Sequence, residues 1–161
     1  MSAGSAASGR PVLSVHALEQ VEERAPEVEW LKRALEGAMP ACLQVGRGGE
    51  EDVLARLPEV EVTLMDDATI AVAHAEFLDD PTPTDVITFF HGEILISVET
   101  AEREARQRGL PLAQEVLLYG IHGLLHLAGW DDHEPQEAAA MAERQEAILA
   151  EVWADSPAIE G

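Results

Sequence analysis

The stretch from Leu112 to Ala128 restricts most strongly how this chain can fold. It reads LAQEVLLYGIHGLLHLA and is apolar on nearly every side of a helical projection, whereas a surface helix keeps a polar face. Such a helix has to be covered by the rest of the molecule, so it belongs at the centre of a domain. Gly129 follows it and is placed to end it in a left-handed C-cap. A membrane span is excluded. From Val116 to Trp130 the stretch holds two histidines and three glycines, and a span takes roughly 18 uninterrupted apolar residues.

The material available to cover it is a mixture of strands and helices. Val60, Val62 and Leu64 alternate with Glu61, Thr63 and Met65, the period-2 pattern of a half-buried strand. Val12 to His16, Asp85 to Phe90 and Glu93 to Val98 also read as strands, the last two joined by a turn at His91-Gly92. Helices are predicted after Pro26 and ending about Pro40, over a short segment from Glu51 to Leu57, and from an Asp66-Asp67 cap to about Leu78. Asp79, Asp80, Pro81, Thr82 and Pro83 break that last helix. Two more are predicted, one from a Thr100 cap through Arg108 and one from Pro135 along the stripe Ala138, Met141, Ile148, Leu149 and Val152. Without regular βαβ alternation, the expected class is a single α+β domain: a small mixed sheet packed by about five helices. It should occupy residues 11–155, between a disordered tail over 1–10 and a flexible C-terminus over 156–161. The 161 residues are 47% hydrophobic, enough for a core without staples. The single cysteine, Cys42, and an N-terminus lacking a basic or apolar leader pattern point to a soluble, cytoplasmic protein.

Charge narrows the function classes. With 31 acidic residues against 10 basic ones, the formal net charge is -21, which excludes a general nucleic-acid coat. The distribution is uneven: residues 50–99 carry -12 and 131–161 carry -8, while 100–130 are neutral. Arg103, Arg106 and Arg108 fall within that neutral stretch. They form a candidate phosphate-facing surface, or a solvated helix face with Glu102 and Glu104 as partners.

His122 and His126 are four apart on the central helix and so project from one face. That spacing lets two imidazoles reach one zinc ion, and a buried helix has little reason to hold two unpaired imidazoles otherwise. The loop Trp130-Asp131-Asp132-His133 can fold back to bring His133 to the same ion. Three protein ligands leave a fourth position open, the arrangement of a hydrolytic site. Asp131, Asp132 and Glu134 are the local carboxylates, as general base or as groups orienting a ligand. The zinc-protease pattern HExxH has the same histidine spacing, but its glutamate position is Gly123 here. Of the remaining side chains, His91 reads as an exposed turn residue, His74 could face the cleft, and Trp130 reads as packing or as a base-stacking ring.

The run His122-Gly-Leu-Leu-His126-Leu-Ala-Gly129-Trp-Asp-Asp-His133 resembles the H-G-x-L-H-L-x-G-Y-D-H signature of the YbeY family of bacterial zinc-dependent endoribonucleases. Thr84-Asp85-Val86-Ile87-Thr88-Phe89 and Gly92-Glu93-Ile94-Leu95-Ile96-Ser97 resemble that family's T-D-V-L-S-F and G-D-I-x-I-S strands. The resemblance covers roughly residues 60–150. It implies a single-strand-specific RNA hydrolase of rRNA maturation, notably at the 3′ end of small-subunit rRNA, with a role in ribosome quality control; separately, the acidic surface suits docking onto basic ribosomal small-subunit proteins. The resemblance also implies one zinc ion held by His122, His126 and His133. Two departures stand out. Asp131 and Asp132 both precede the last histidine where the signature has one residue, which leaves Asp132 as an alternative third ligand. Leu78 stands where many members have an arginine thought to contact phosphate.

Three other functions compete: a metallopeptidase or amidase, a non-catalytic ribosome-assembly factor with structural zinc, and a metal-free binding domain. Elemental analysis of protein purified without chelators separates the last from the rest. The expected result is about one zinc per chain; a metal-free, folded and active preparation would remove the metal site.

Overall fold

Alternating apolar residues build the sheet, and the computed structural model, which describes residues 10–78 and 84–155, has four strands. They are β1 (Val12–Ala17), β2 (Glu59–Met65), β3 (Val86–Phe89) and β4 (Glu93–Ser97), in the spatial order β1–β2–β4–β3. β1 and β4 each pair parallel to β2, and β3 closes the edge antiparallel to β4. The register places Val62 between Val15 and Ile94, and Leu64 beside Ile96. One face therefore gathers Leu13, Val60, Val62, Leu64, Ile94 and Ile96, and the other gathers Met65, Ile87 and Leu95. This is the expected α+β mixed sheet. Residues 1–9 of the tail expected over 1–10, the C-terminus expected over 156–161 and the helix break at 79–83 lie outside the described residues.

Five helices cover these faces: α1 (Val28–Gln44), α2 (Asp67–Leu78), α3 (Val98–Arg108), α4 (Leu112–Leu127) and α5 (Pro135–Asp155). α2 packs on the Ile87 and Leu95 face through Ile70. α1 and α4 pack on the opposite face, with α5 against both. α4 is the buried central helix: Val116, Leu117, Ile121, Leu124, Leu125 and Leu127 are fully covered. Each such side chain stabilises the fold by roughly 1.5–3 kcal/mol through its burial.

Three expectations about element ends need correction. α1 does not end at Pro40 but continues through it to Gln44. Pro40 and Glu36 both lie on the exposed side, so the carbonyl that loses its N–H donor is solvated, while Met39 and Cys42 gain burial. α3 is capped by Ser97, whose Oγ accepts from the Thr100 N–H; Thr100 lies in the first turn, its hydroxyl donating to Asp67 at 2.8 Å. The segment from Glu51 to Leu57 holds only a 3-10 turn, Leu54–Arg56, pinned by the buried Leu54. The Asp66 cap of α2 holds, with Oδ1 accepting from the Thr69 N–H at 2.9 Å.

α4 lies close to its neighbours because two of its positions have no side chain. A Cβ at Gly123 would come within 2.7–3.0 Å of three side-chain carbons of Ile94, and one at Gly120 within 2.8 Å of Leu35. These contacts set the depth and the roll of α4 on the sheet. Gly123→Ala is therefore expected to overpack this interface and cost about 1–3 kcal/mol, seen as a lower urea midpoint at unchanged slope. An unaltered midpoint would mean that the interface is loose at this point.

Candidate metal centre

With Gly123 turned to the sheet, the neighbouring His122 and the next-turn His126 project from another side of α4, toward α5 and the loop after Gly129. Their ring centroids are 4.6 Å apart and the rings are nearly perpendicular, at 87°. Each ring is oriented through Nδ1. His122 Nδ1 donates to Gln145 Oε1 on α5 at 2.7 Å, and His126 Nδ1 donates to the Trp130 carbonyl at 2.9 Å. A neutral imidazole has one N–H. With both hydrogens on Nδ1, the two Nε2 atoms hold bare lone pairs, and they face each other at 3.1 Å. Two acceptors at that distance repel unless a cation or proton lies between them.

Asp132 brings a third donor. Its Oδ2 is 3.5 Å from His122 Nε2 and 3.7 Å from His126 Nε2. Two donors at 2.0–2.1 Å from a tetrahedral zinc ion are separated by about 3.3 Å, so these three atoms are spaced as one ion's ligands would be. Among the described residues, His122, His126 and Asp132 are the group suited to hold a metal. Two imidazoles and a carboxylate are a donor set that zinc accepts, and oriented Nδ1–H groups are the usual support for such ligands.

The loop that delivers Asp132 is fixed by the end of α4. Gly129 adopts a φ of 97°, and the Trp130 N–H turns back to the Leu125 carbonyl at 3.0 Å, the left-handed helix end expected there. The segment after α1 ties down the remaining carbonyls: the Arg47 N–H donates to Ala128 O at 2.9 Å and the Val53 N–H to Leu127 O at 2.8 Å. The Trp130 indole N–H donates to Val45 O at 3.0 Å.

His133 is placed elsewhere. Its side chain is 85% exposed and its Nδ1 lies 2.6 Å from Asp131 Oδ1. The hydrogen bond from His133 holds the Asp131 carboxyl below its ordinary range, and the same contact raises the His133 imidazole. In the YbeY signature the last histidine lies six positions after the second; six positions after His126 is Asp132. Position and geometry agree on Asp132 as the residue beside the pair.

The expected phosphate-facing arginines lie on α3. Arg103 is engaged, with Nη1 donating to Asp67 Oδ2 at 2.9 Å and Nη2 to Thr100 Oγ1 at 3.0 Å. Burial alone would raise the Asp67 carboxyl, but bonds from Ser97, Thr100 and Arg103 hold it below the usual range. Arg106 is exposed. Arg103 also borders an open hollow of about 490 Å³ between α3, α4 and the start of β3. His91 is an exposed turn residue, as expected, stacked on Phe89 and paired with Glu93 at 3.1 Å. His74 lies on α2, the helix on the opposite sheet face from α4.

Gln145 was not legible as a site residue, although a signal existed. It occupies a place in the apolar stripe of α5, four after Met141 and three before Ile148, where a polar side chain needs a buried partner. Trp130 contributes through its backbone carbonyl, which no sequence pattern displays.

Burial pushes the His126 imidazole below its ordinary value of 6.5, and His122 adds to the shift. Between the lowered value and 6.5 the unfolded chain binds a proton that the folded chain refuses, so stability is lost as the pH falls through this range. Urea midpoints of the metal-free protein above and below this range should show the loss, and His126→Gln should reduce it. The same pH dependence in wild type and variant would contradict the assignment.

Residues 20–153 match the family described as Endoribonuclease YbeY. Among relatives so named, one from Synechococcus sp. strain RCC307 is 40% identical over 99 residues, covering 52% of this chain and 62% of the relative. One from Rhodopirellula baltica is 39% identical over 108 residues, covering 61% and 56%. The matches thus span less than two thirds of the length of these two relatives. One from Heliobacterium modesticaldum is 34% identical over 149 residues, covering 78% of this chain and 86% of the relative. The solution structure of TM1509 from Thermotoga maritima has the same fold, with a TM-score of 0.59 and 24% identity over 89% of this chain and 91% of that one. The chain belongs to the YbeY family.

Proposed function

We propose that this protein is a zinc-dependent endoribonuclease that cuts single-stranded RNA in rRNA processing, including 3′-end maturation of small-subunit rRNA. The observation that carries the reading is the triangle of facing donors, His122 Nε2, His126 Nε2 and Asp132 Oδ2, at 3.1–3.7 Å. A divalent ion held there supplies Lewis acidity toward a phosphodiester oxygen and lowers the pKa of water toward about 7. His122 and His126 hold their lone pairs in place through Nδ1–H bonds to Gln145 and Trp130. Asp132 offsets the ion's charge, and its 42% exposed side chain leaves the site open to solvent and substrate. Asp131, kept ionised by His133, is the neighbouring carboxylate that accepts the proton of the attacking water. Arg103, at the hollow beside α3, and the exposed Arg106 contact RNA farther along the strand.

Proteolysis is disfavoured by packing. A glutamate at position 123 would have to occupy the space of Ile94, so the HExxH base has no room on this helix. A purely structural zinc is disfavoured by the exposure of the triangle, since structural sites are closed by four protein ligands. The acidic surface, with net charge -21, suits docking onto basic small-subunit ribosomal proteins in the cytoplasm. No helix among the described residues is long and apolar enough to cross a membrane.

The test is cleavage of end-labelled single-stranded RNA, duplex RNA and a peptide, with metal content measured on the same samples. The wild type should cut single strands and spare the other two. His126→Ala should lose both metal and cleavage, and Asp132→Asn should weaken metal binding at least about tenfold. Full cleavage by metal-free His126→Ala would falsify the mechanism. Loss of metal on His133→Asn but not on Asp132→Asn would move the third ligand to His133.

A further inference from the structure

The cations so far described, Arg103 and Arg106, belong to α3, and Arg103 is engaged by Asp67. Two other arginines meet at the ring of Trp130, two residues before Asp132. The Arg47 guanidinium lies 4.6 Å from the centre of the Trp130 ring, and that of Arg144 lies 6.0 Å from it. They come from distant segments, Arg47 from the glycine-rich loop after α1 and Arg144 from the middle of α5. Each is tied to the site through its backbone or its neighbour. The Arg47 N–H holds Ala128 O at 2.9 Å, and Arg144 precedes Gln145, which orients His122 at 2.7 Å. Between them, Trp130 carries the carbonyl that orients His126.

Bringing two guanidinium groups to one ring costs repulsion. In a chain with 31 carboxylates and 10 bases, such a pair would ordinarily be offset by acids. Among the described residues neither Arg47 nor Arg144 forms an ion pair, and both remain exposed. Two of the nearby carboxylates are committed elsewhere: Asp52 accepts from the Gly48 N–H at 2.8 Å, and Asp131 pairs with His133 at 2.6 Å. A guanidinium over an aromatic ring uses its face and leaves its in-plane N–H donors free, the geometry that binds phosphate in a bidentate manner.

We propose that Arg47 and Arg144, arranged about Trp130, grip backbone phosphates of single-stranded RNA beside the cleavage point. The proposal rests on the RNA-cleaving reading above and adds cations on the Trp130 side of the donor triangle.

The experiment compares wild type, Arg47→Gln, Arg144→Gln, the double Gln variant, Arg47→Lys/Arg144→Lys and Arg33→Gln, an exposed arginine on α1. Cleavage kinetics of a labelled single-stranded RNA are measured across a salt series, with urea midpoints as a folding control. KM should rise about tenfold for each arginine lost while kcat stays near wild type. The salt slope should fall by about 0.7 for each phosphate contact removed. The double Lys variant should recover the salt slope but only part of KM, and Arg33→Gln should match wild type. Should the double Gln variant prove unstable, the double Lys variant decides by the same split. If the wild type cuts RNA and these variants keep its KM and salt slope, or lose kcat alone, the phosphate grip is wrong and the nuclease reading stands. If the wild type neither binds nor cuts RNA, both fall.

Discussion

The close seating of α4 on the sheet at Gly123 is the constraint from which the site follows. A helix that is apolar almost all round can be buried in many rolls, and the roll decides which polar groups reach the surface. Here a bare backbone at position 123 meets Ile94, and another at position 120 meets Leu35. With those two sides fixed, His122 and His126 can only look toward α5 and the loop beyond Gly129. The same contact excludes the glutamate of a zinc-protease helix. One glycine thus sets both the packing of α4 and the direction in which its histidines face, by its lack of a side chain.

The second determinant is how the imidazoles are oriented. Acceptors on Nδ1 leave two lone pairs confronting each other in a half-buried site, and the Nε2 atoms of two neutral rings cannot satisfy one another. Burial lowers the pKa of the His126 imidazole, which favours its neutral form. The repulsion is tolerable because the rest of the fold pays for it: Gln145 is carried by α5, the Trp130 carbonyl by a left-handed helix end, and both are fixed by large apolar contacts. This is the pattern of a site preorganised for a cation.

Much of this was legible in the sequence. Alternation at Val60, Val62 and Leu64 gave β2 and its buried face, and the period of α4 gave both its burial and the shared face of its histidines. Element ends were less legible. Pro40 looked like a stop, yet its exposed side of α1 tolerates a missing hydrogen bond, and burial of Met39 and Cys42 carries the helix on. Thr100 looked like a cap, yet Ser97 one turn earlier takes that role, accepting from the Thr100 N–H, and both hydroxyls donate to Asp67. The third donor was ambiguous for a similar reason. Counting along the chain offers both Asp132 and His133, and only the turn at Gly129 decides which carboxylate or imidazole swings over the pair. The meeting of Arg47 and Arg144 at Trp130 was invisible, since it joins segments that no local pattern relates.

The charge of the chain takes on a specific meaning in this structure. An excess of 21 negative charges repels RNA at long range, so under the proposed function binding would have to come from local groups. The claim on which everything else depends is that His122 and His126 present unprotonated Nε2 atoms to one ion. Nitrogen-15 NMR of the two imidazoles, before and after one equivalent of zinc, tests it directly. The account predicts Nδ1–H tautomers for both rings in the metal-free protein and a shift of both Nε2 resonances on adding zinc. Nε2–H tautomers, or resonances that ignore the metal, would contradict it.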